Sequence, residues 1–162
     1  MRAMIAVYIL AMVAANLLVW KLGPWFSPIN SFLLIGLDLT LRDVMHDRLK
    51  KWQMFLVICA GGAITYGLNP SAAHIATASA VAFAAAALVD WLAYERLKGQ
   101  KWLIRCNGSN VAGAAVDSVI FPLVAFGAFL PLVMLLQFLA KVSGGAVWSL
   151  VICRKRIALG DL

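Results

Sequence analysis

Six apolar stretches follow one another along the chain, separated by short polar breaks, and each approaches the roughly 20 residues a helix needs to cross a hydrocarbon layer. The first runs from about Met4 to Trp20 and stops at Gly23-Pro24. The second, from about Asn30 to Asp47, is the most polar. The third runs from about Trp52 to Leu68 and ends at Asn69-Pro70. The fourth, from about Ala72 to Leu97, is crowded with small side chains at Ala78, Ala82, Ala84, Ala85, Ala86 and Ala87. Small residues let membrane helices approach closely, so this segment predicts a tightly packed helix of a bundle. The fifth runs from about Asn107 to Phe126, with Pro122 near its end, and the sixth from about Pro131 to Ile152. The short Gly127-Ala128-Phe129 break predicts a tight hairpin between the last two.

The basic residues fix an orientation. Arg2 precedes the first segment; Arg42, Arg48, Lys50 and Lys51 fall at the second connection; Arg96, Lys98, Lys101 and Arg105 fall at the fourth; Arg154, Lys155 and Arg156 follow the last. These are 12 of the 14 Lys and Arg residues; only Lys21 lies on the other side, and Lys141 lies inside a segment. Cytoplasmic loops of membrane proteins carry this excess, so both termini are expected in the cytoplasm. Arg2 and the apolar run after it have no small-x-small cleavage site before Gly23-Pro24, so the first segment reads as a membrane helix and not as a leader.

Composition agrees. The chain is 64% hydrophobic, against about half for soluble domains, and its mean hydropathy is +0.91. One small core cannot hide this excess, so lipid must solvate it. The expectation is an all-α integral membrane protein: a single domain over residues 1–162, with six transmembrane helices, multi-pass in a cell inner (cytoplasmic) membrane. The net charge of +7 sits in clusters between apolar runs, which argues against a nucleic-acid partner. The three cysteines, Cys59, Cys106 and Cys153, form no CxxC and leave no complete disulfide framework. They read as free thiols near the cytoplasmic side. His46 and His74 are far apart, and no metal-ligand spacing is present. No HExxH, G-x-S-x-G or P-loop motif occurs, so neither an enzyme nor a built-in ATPase is expected, and no cofactor.

Ionisable residues inside the apolar segments carry the chemical information. Each costs about 2.5–3.5 kcal/mol at a helix centre and should face protein or water with a partner. Asp38, Asp90, Asp117 and Lys141 are of this kind. Pairing is one reading: Asp38 with Arg42 at i,i+4, Asp117 with Lys141 on the neighbouring helix, and Asp90 with a cytoplasmic cation such as Arg96. The other reading is a polar cavity opening outward from the midplane, with Asn16, Asn30, Ser31, His74, Thr77, Ser79 and Ser118 for company. Trp20, Trp25, Phe26 and Trp148 offer rings to stack on a planar ligand, although the first three also suit the aromatic belt of a membrane interface.

These residues resemble a family. Asp38-Leu39-Thr40-Leu41-Arg42 resembles its DLT-x-R signature in the second helix, and Ile75-Ala76-Thr77-Ala78-Ser79 its IATAS opening of the fourth, with Asp90 at the matching distance. Gly113-x-x-x-Asp117-Ser118 with Ala125-Phe126, Lys141-Val142, and Asn16 match further positions, in order, on five of the six helices. The family is that of the vitamin uptake transporters of queuosine precursors. The resemblance implies a fold like the substrate-binding component of energy-coupling-factor transporters. It implies import of 7-deazaguanine bases such as preQ0 and preQ1, used to make queuosine in tRNA, often without an ATPase module. The polar-cavity reading and the resemblance together give the expected substrate-binding set as Asn16, Asn30, Asp38, Thr77, Ser79, Asn110, Asp117, Lys141 and Trp148. A carboxylate can accept two N–H bonds from the guanine-like edge, which suits Asp117, with Asn16 or Asn110 completing the set. Two departures stand out: family members commonly carry an amide where this chain has Ala87 and another where it has Ala114.

The alternative is the same fold working with a separate energy-coupling ATPase module on another vitamin-like or purine solute. Ala11-x-x-x-Ala15 resembles the pattern by which such components meet their coupling subunit. The partners expected are thus a purine-like base and the lipid bilayer, with a homo-oligomer and a coupling module left open. A pore-forming or structural membrane protein is the reading from another class.

Overall fold

Apolar runs with no competing polar pattern become long helices here, and turn residues end them. The computed structural model describes residues 2–46 and 48–158, and within these the side chains of Arg2, Asp43, His46, Lys51 and residues 153–158 are outside the description. The expected end of the second segment at Asp47, the side chain of Cys153 and those of Arg154, Lys155 and Arg156 therefore lie outside it.

Helix α1, Arg2–Leu22, stops at Gly23, whose φ of 77° lies in the region that glycine enters without steric cost. A tight turn at Pro24–Phe26 leads into α2, residues 27–46. This helix is not uniform. A first turn at Ser27–Asn30 passes into a wider π-helical stretch, Ser31–Ile35, before regular α-helix resumes at Gly36–His46. Helix α3, Lys51–Leu68, starts where the Gln53 side chain accepts the Lys50 backbone N–H at 2.9 Å. Asn69 breaks it and accepts the Ser71 N–H at 3.0 Å, and the Pro70–Ala72 turn then starts α4, Ala73–Arg96. Helix α5 spans Trp102–Phe126 and ends on Gly127, φ 62°. Helix α6 begins at Pro131, whose missing N–H costs nothing in a first turn, and runs to Ala158. The hairpin expected between the last two segments is present, and α5 starts earlier than expected, inside the basic stretch.

Among the described residues four helices are long and apolar enough to cross a bilayer: Ala3–Leu22, Pro70–Arg96, Trp102–Phe126 and Pro131–Ile152. Trp52–Leu68 is a shorter apolar helix. The chain is all-α and of membrane type.

The alanines of α4 act as expected. Ala78, Ala82 and Ala86 recur every fourth residue, are fully buried, and let α4 lie close along α5 near Gly113 and Ala114. A second close approach joins α2 to α6: a Cβ on Gly144 would run into the Phe32 backbone, and one on Gly36 would lie 2.6 Å from the Gly144 carbonyl carbon. One apolar cluster joins Tyr8, Met12, Leu39, Met45 and Phe83; another joins Val19, Ile75, Ala82 and Phe121. Leu10, Phe55, Leu132 and Leu135 point away from the bundle, where lipid would solvate them. Ala11 and Ala15 are buried within the bundle and are not presented to a partner in this conformation.

Candidate functional site

Among the described side chains, five charged ones are buried in the bundle: Asp38, Arg42, Asp90, Asp117 and Lys141. They fall into two ion pairs and one further carboxylate. Lys141 Nζ lies 2.6 Å from Asp117 Oδ2, and it also donates to Ser118 Oγ at 3.1 Å and to Gln137 Oε1 at 3.0 Å. All three of its protons are therefore used, which is how an ammonium is kept inside a low-dielectric interior. Arg42 Nη2 lies 3.8 Å from Asp90 Oδ2 and ties α2 to α4. Asp38 is completely buried beside the Tyr8 hydroxyl and within electrostatic reach of Arg42 and Asp117.

The Asp117–Lys141 pair lines a cavity of about 20 Å³. Its other walls include Asn16 and Val19 of α1, Asn30, Ser31 and Ile35 of α2, Ser79 and Phe83 of α4, Phe121 of α5 and Gln137 of α6. It sits toward the end of the bundle that carries the α1–α2, α3–α4 and α5–α6 connections. The basic connections are at the other end. The π-helical stretch contributes Ser31 and Ile35 directly. Such widened turns occur frequently at functional sites.

Several groups on this cavity are already satisfied. Ser79 donates to Asn16 Oδ1 at 2.5 Å, Asn16 Nδ2 donates to Thr65 at 3.3 Å, and Asn30 Nδ2 donates to the Ala15 carbonyl at 3.3 Å. Three are not. Asn30 Oδ1, Asp117 Oδ1 and Gln137 Nε2 are buried on the cavity wall without a hydrogen-bond partner in the protein. Two unpaired acceptors and one unpaired donor thus belong to side chains that line one small space, and leaving such buried groups unpaired is costly.

The expected site residues divide accordingly. Asn16, Asn30, Ser79, Asp117 and Lys141 come together on the cavity. Asp38, Thr77, Asn110 and Trp148 do not line it. Asp38 lies next to Tyr8, deeper in the bundle. Thr77 is exposed, and its hydroxyl bonds back to the Ala73 carbonyl at 2.8 Å. Asn110 lies beside Cys106 Sγ at 3.6 Å. Trp148 Nε1 donates to the Leu33 carbonyl at 3.0 Å and so braces the π-helical stretch from α6. Trp20 and Trp25 are exposed, and the rings on the cavity are instead Phe83 and Phe121. Of the expected ion pairs, Asp117 meets Lys141. Asp90 meets Arg42, while Arg96 is exposed at the end of α4. Gln137 and Ser27 enter the site unannounced; the only signal for Gln137 was an amide one turn before Lys141 in an otherwise apolar helix.

A second hollow, about 360 Å³, lies between α3 and α4 and is lined by Met54, Phe55, Ile58, Cys59, Ala87 and Leu88, with Arg42 and Asp90 at its floor. Ala87, one of the two departures noted above, therefore belongs to this cleft. Ala114 is fully buried in the main apolar cluster. Among the described residues no group of three or more His, Cys, Asp or Glu side chains converges to hold a metal ion, and Cys59 and Cys106 are free thiols.

Comparison with known proteins places the chain. The family described as "Putative vitamin uptake transporter" matches it over residues 2–153. No curated protein and no solved structure gives a significant match.

Proposed function

From the premise that the chain belongs to the vitamin uptake transporter family, a family of transporters and not of enzymes, we propose that it imports a 7-deazaguanine base such as preQ0 or preQ1 by secondary or facilitated transport. The observation that carries this reading is the set of unpaired groups on the polar cavity: the acceptors Asn30 Oδ1 and Asp117 Oδ1 and the donor Gln137 Nε2. A guanine-like edge offers adjacent N–H donors beside a carbonyl acceptor, which is the complement of that set. A bond from such an N–H to the Asp117 carboxylate is charge-assisted and of the strong kind. Phe83 and Phe121 supply flat apolar walls for the ring faces.

The cavity as it stands is too small for a base. About 20 Å³ accommodates roughly one water molecule, so a base enters only when helices part. Helix α2 is suited to that movement, because its π-helical stretch and the Gly36–Gly144 contact both adjoin the site. In this reading six helices span an inner membrane with both termini in the cytoplasm. The polar cavity then belongs to the outer half of the bundle and the Arg42–Asp90 cleft to the inner half. The coupled-ATPase alternative loses its one sequence signal, since Ala11 and Ala15 are turned inward.

The test is thermal stabilisation of the detergent-purified protein by preQ0, preQ1, guanine and unrelated vitamins. A ligand present at a hundredfold excess over Kd stabilises by about 2.7 kcal/mol. Stabilisation by a deazaguanine that Asp117→Asn loses is the expected result. Stabilisation by an unrelated vitamin alone would replace the substrate class.

A further inference from the structure

We propose that Asp38 is the proton-carrying group of this transporter: it holds one proton in this conformation, and its loading and release couple base import to proton movement. The inference rests on the transport reading above and adds the driving ion.

The argument starts from charge balance. Among the described side chains, the buried cluster holds three carboxylates, Asp38, Asp90 and Asp117, and two cations, Arg42 and Lys141. Lys141 is committed to Asp117 at 2.6 Å. Arg42 lies 3.8 Å from Asp90 and one helical turn from Asp38, so a single guanidinium serves two carboxylates. Asp38 is the one left over. It is fully buried, and neither of its oxygens accepts a well-formed hydrogen bond. A carboxylate that shares its one cation with another acid in a low-dielectric interior is neutralised most cheaply by a proton.

The surroundings point the same way from every helix packed on α2. Among its described side chains, helix α1 presents only the Tyr8 hydroxyl, itself buried. Helix α5 presents Asp117, a like charge. Helix α6 presents Lys141, already engaged. Helix α4 presents Asp90 through Arg42. On α3, Tyr66 is exposed and Cys59 lines the cleft that Arg42 and Asp90 border, so among the described side chains α3 brings no cation to Asp38.

Position supplies the coupling. Asp117 lines the polar cavity, Arg42 and Asp90 line the cleft between α3 and α4, and Asp38 lies between the two sites. A proton arriving from the cavity side forms an O–H bond on Asp38 and neutralises the cluster. When that bond breaks on the cleft side, the proton passes to water and the carboxylate competes with Asp90 for Arg42. This loosens the tie between α2 and α4. The base itself is unchanged throughout.

Proteoliposomes loaded at alkaline internal pH test this with preQ0, a neutral base. One proton per base predicts about tenfold more accumulation for each unit of pH difference. Asp38→Asn should lose that accumulation while still exchanging preQ0 without a gradient. Accumulation indifferent to the gradient, or retained in Asp38→Asn, overturns the proposal. If the wild type exchanges no preQ0 at all, the base reading fails separately. The proton is then read by infrared spectroscopy, as a carboxylic-acid C=O stretch at neutral pH that Asp38→Asn lacks. Should that variant not fold, Asp38→Glu takes its place and must shift the band. A wild-type protein without the band overturns the proposal.

Discussion

The cavity beside Asp117 and Lys141 measures about 20 Å³ and the cleft over Arg42 and Asp90 about 360 Å³. The smaller space nevertheless collects Asn16, Asn30, Ser79 and Gln137, whereas the larger is walled by Met54, Phe55, Ile58, Ala87 and Leu88. Volume by itself therefore does not identify a binding site here. The cleft too has a buried unpaired acceptor, Asp90 Oδ1, but most of its walls are apolar, whereas the cavity is lined by Asn30, Gln137 and the Asp117 carboxylate, each with an unpaired atom. Unpaired polar groups gathered in a small space require a ligand or water.

The sharpest way to break the comparison is to remove the cation of the smaller site. Lys141→Met leaves the Asp117 carboxylate buried with no counter-charge and deprives Ser118 and Gln137 of their donor. Breaking a buried pair from one side costs about 3–5 kcal/mol, so a large fall in melting temperature in detergent is expected. Adding Asp117→Asn to Lys141→Met should recover much of it, because the stranded charge is gone. A double variant no more stable than the single would mean that Lys141 acts by packing alone.

A second variant asks why the smaller site is closed. Gly144 sits one turn beyond Lys141 and touches the Phe32 backbone, next to Ser31 on the cavity wall. Gly144→Ala should push α2 off α6 and cost about 1–3 kcal/mol, as overpacked interiors do. The same change should raise solvent access at Ser31, read by labelling of Ser31→Cys. A variant as stable as the wild type, with no change in labelling, would show that this contact does not hold the site shut.

How much of this was legible beforehand follows from helix geometry. Asp117 and Lys141 could be read as partners because ionisable groups in apolar segments must find one, and adjacent segments place them at similar depth. Thr77 could not be separated from Ser79 by composition. Two residues turn a helix by about 200°, so when Ser79 faces the bundle Thr77 faces out. Asn110 and Trp148 each lie seven residues from a cavity residue, on the same face but about 10 Å along the axis, and so reach other partners. Asp90 took Arg42 in place of Arg96 because the tie to α2 is buried and the end of α4 is exposed. The π-helical stretch had no announcement: Ser31–Ile35 holds no proline or glycine, and only the fold shows Trp148 holding its Leu33 carbonyl.

The mildest test concerns the cleft. Ala87 is a half-buried wall residue there and does not touch the polar cavity. Ala87→Leu adds three carbons to a hollow with room for them, so neither overpacking nor loss of a polar contact follows. The melting temperature should change little, by the equivalent of under about 1 kcal/mol, or rise slightly as cavity-filling changes often do. Stabilisation by a deazaguanine should be unaffected, because the groups assigned to the base are on the other side of the Asp38 cluster. Loss of that stabilisation in an otherwise stable Ala87→Leu protein would reverse the comparison. The base would then bind in the large apolar cleft above Arg42 and Asp90, and the unpaired groups beside Lys141 would be sites for water.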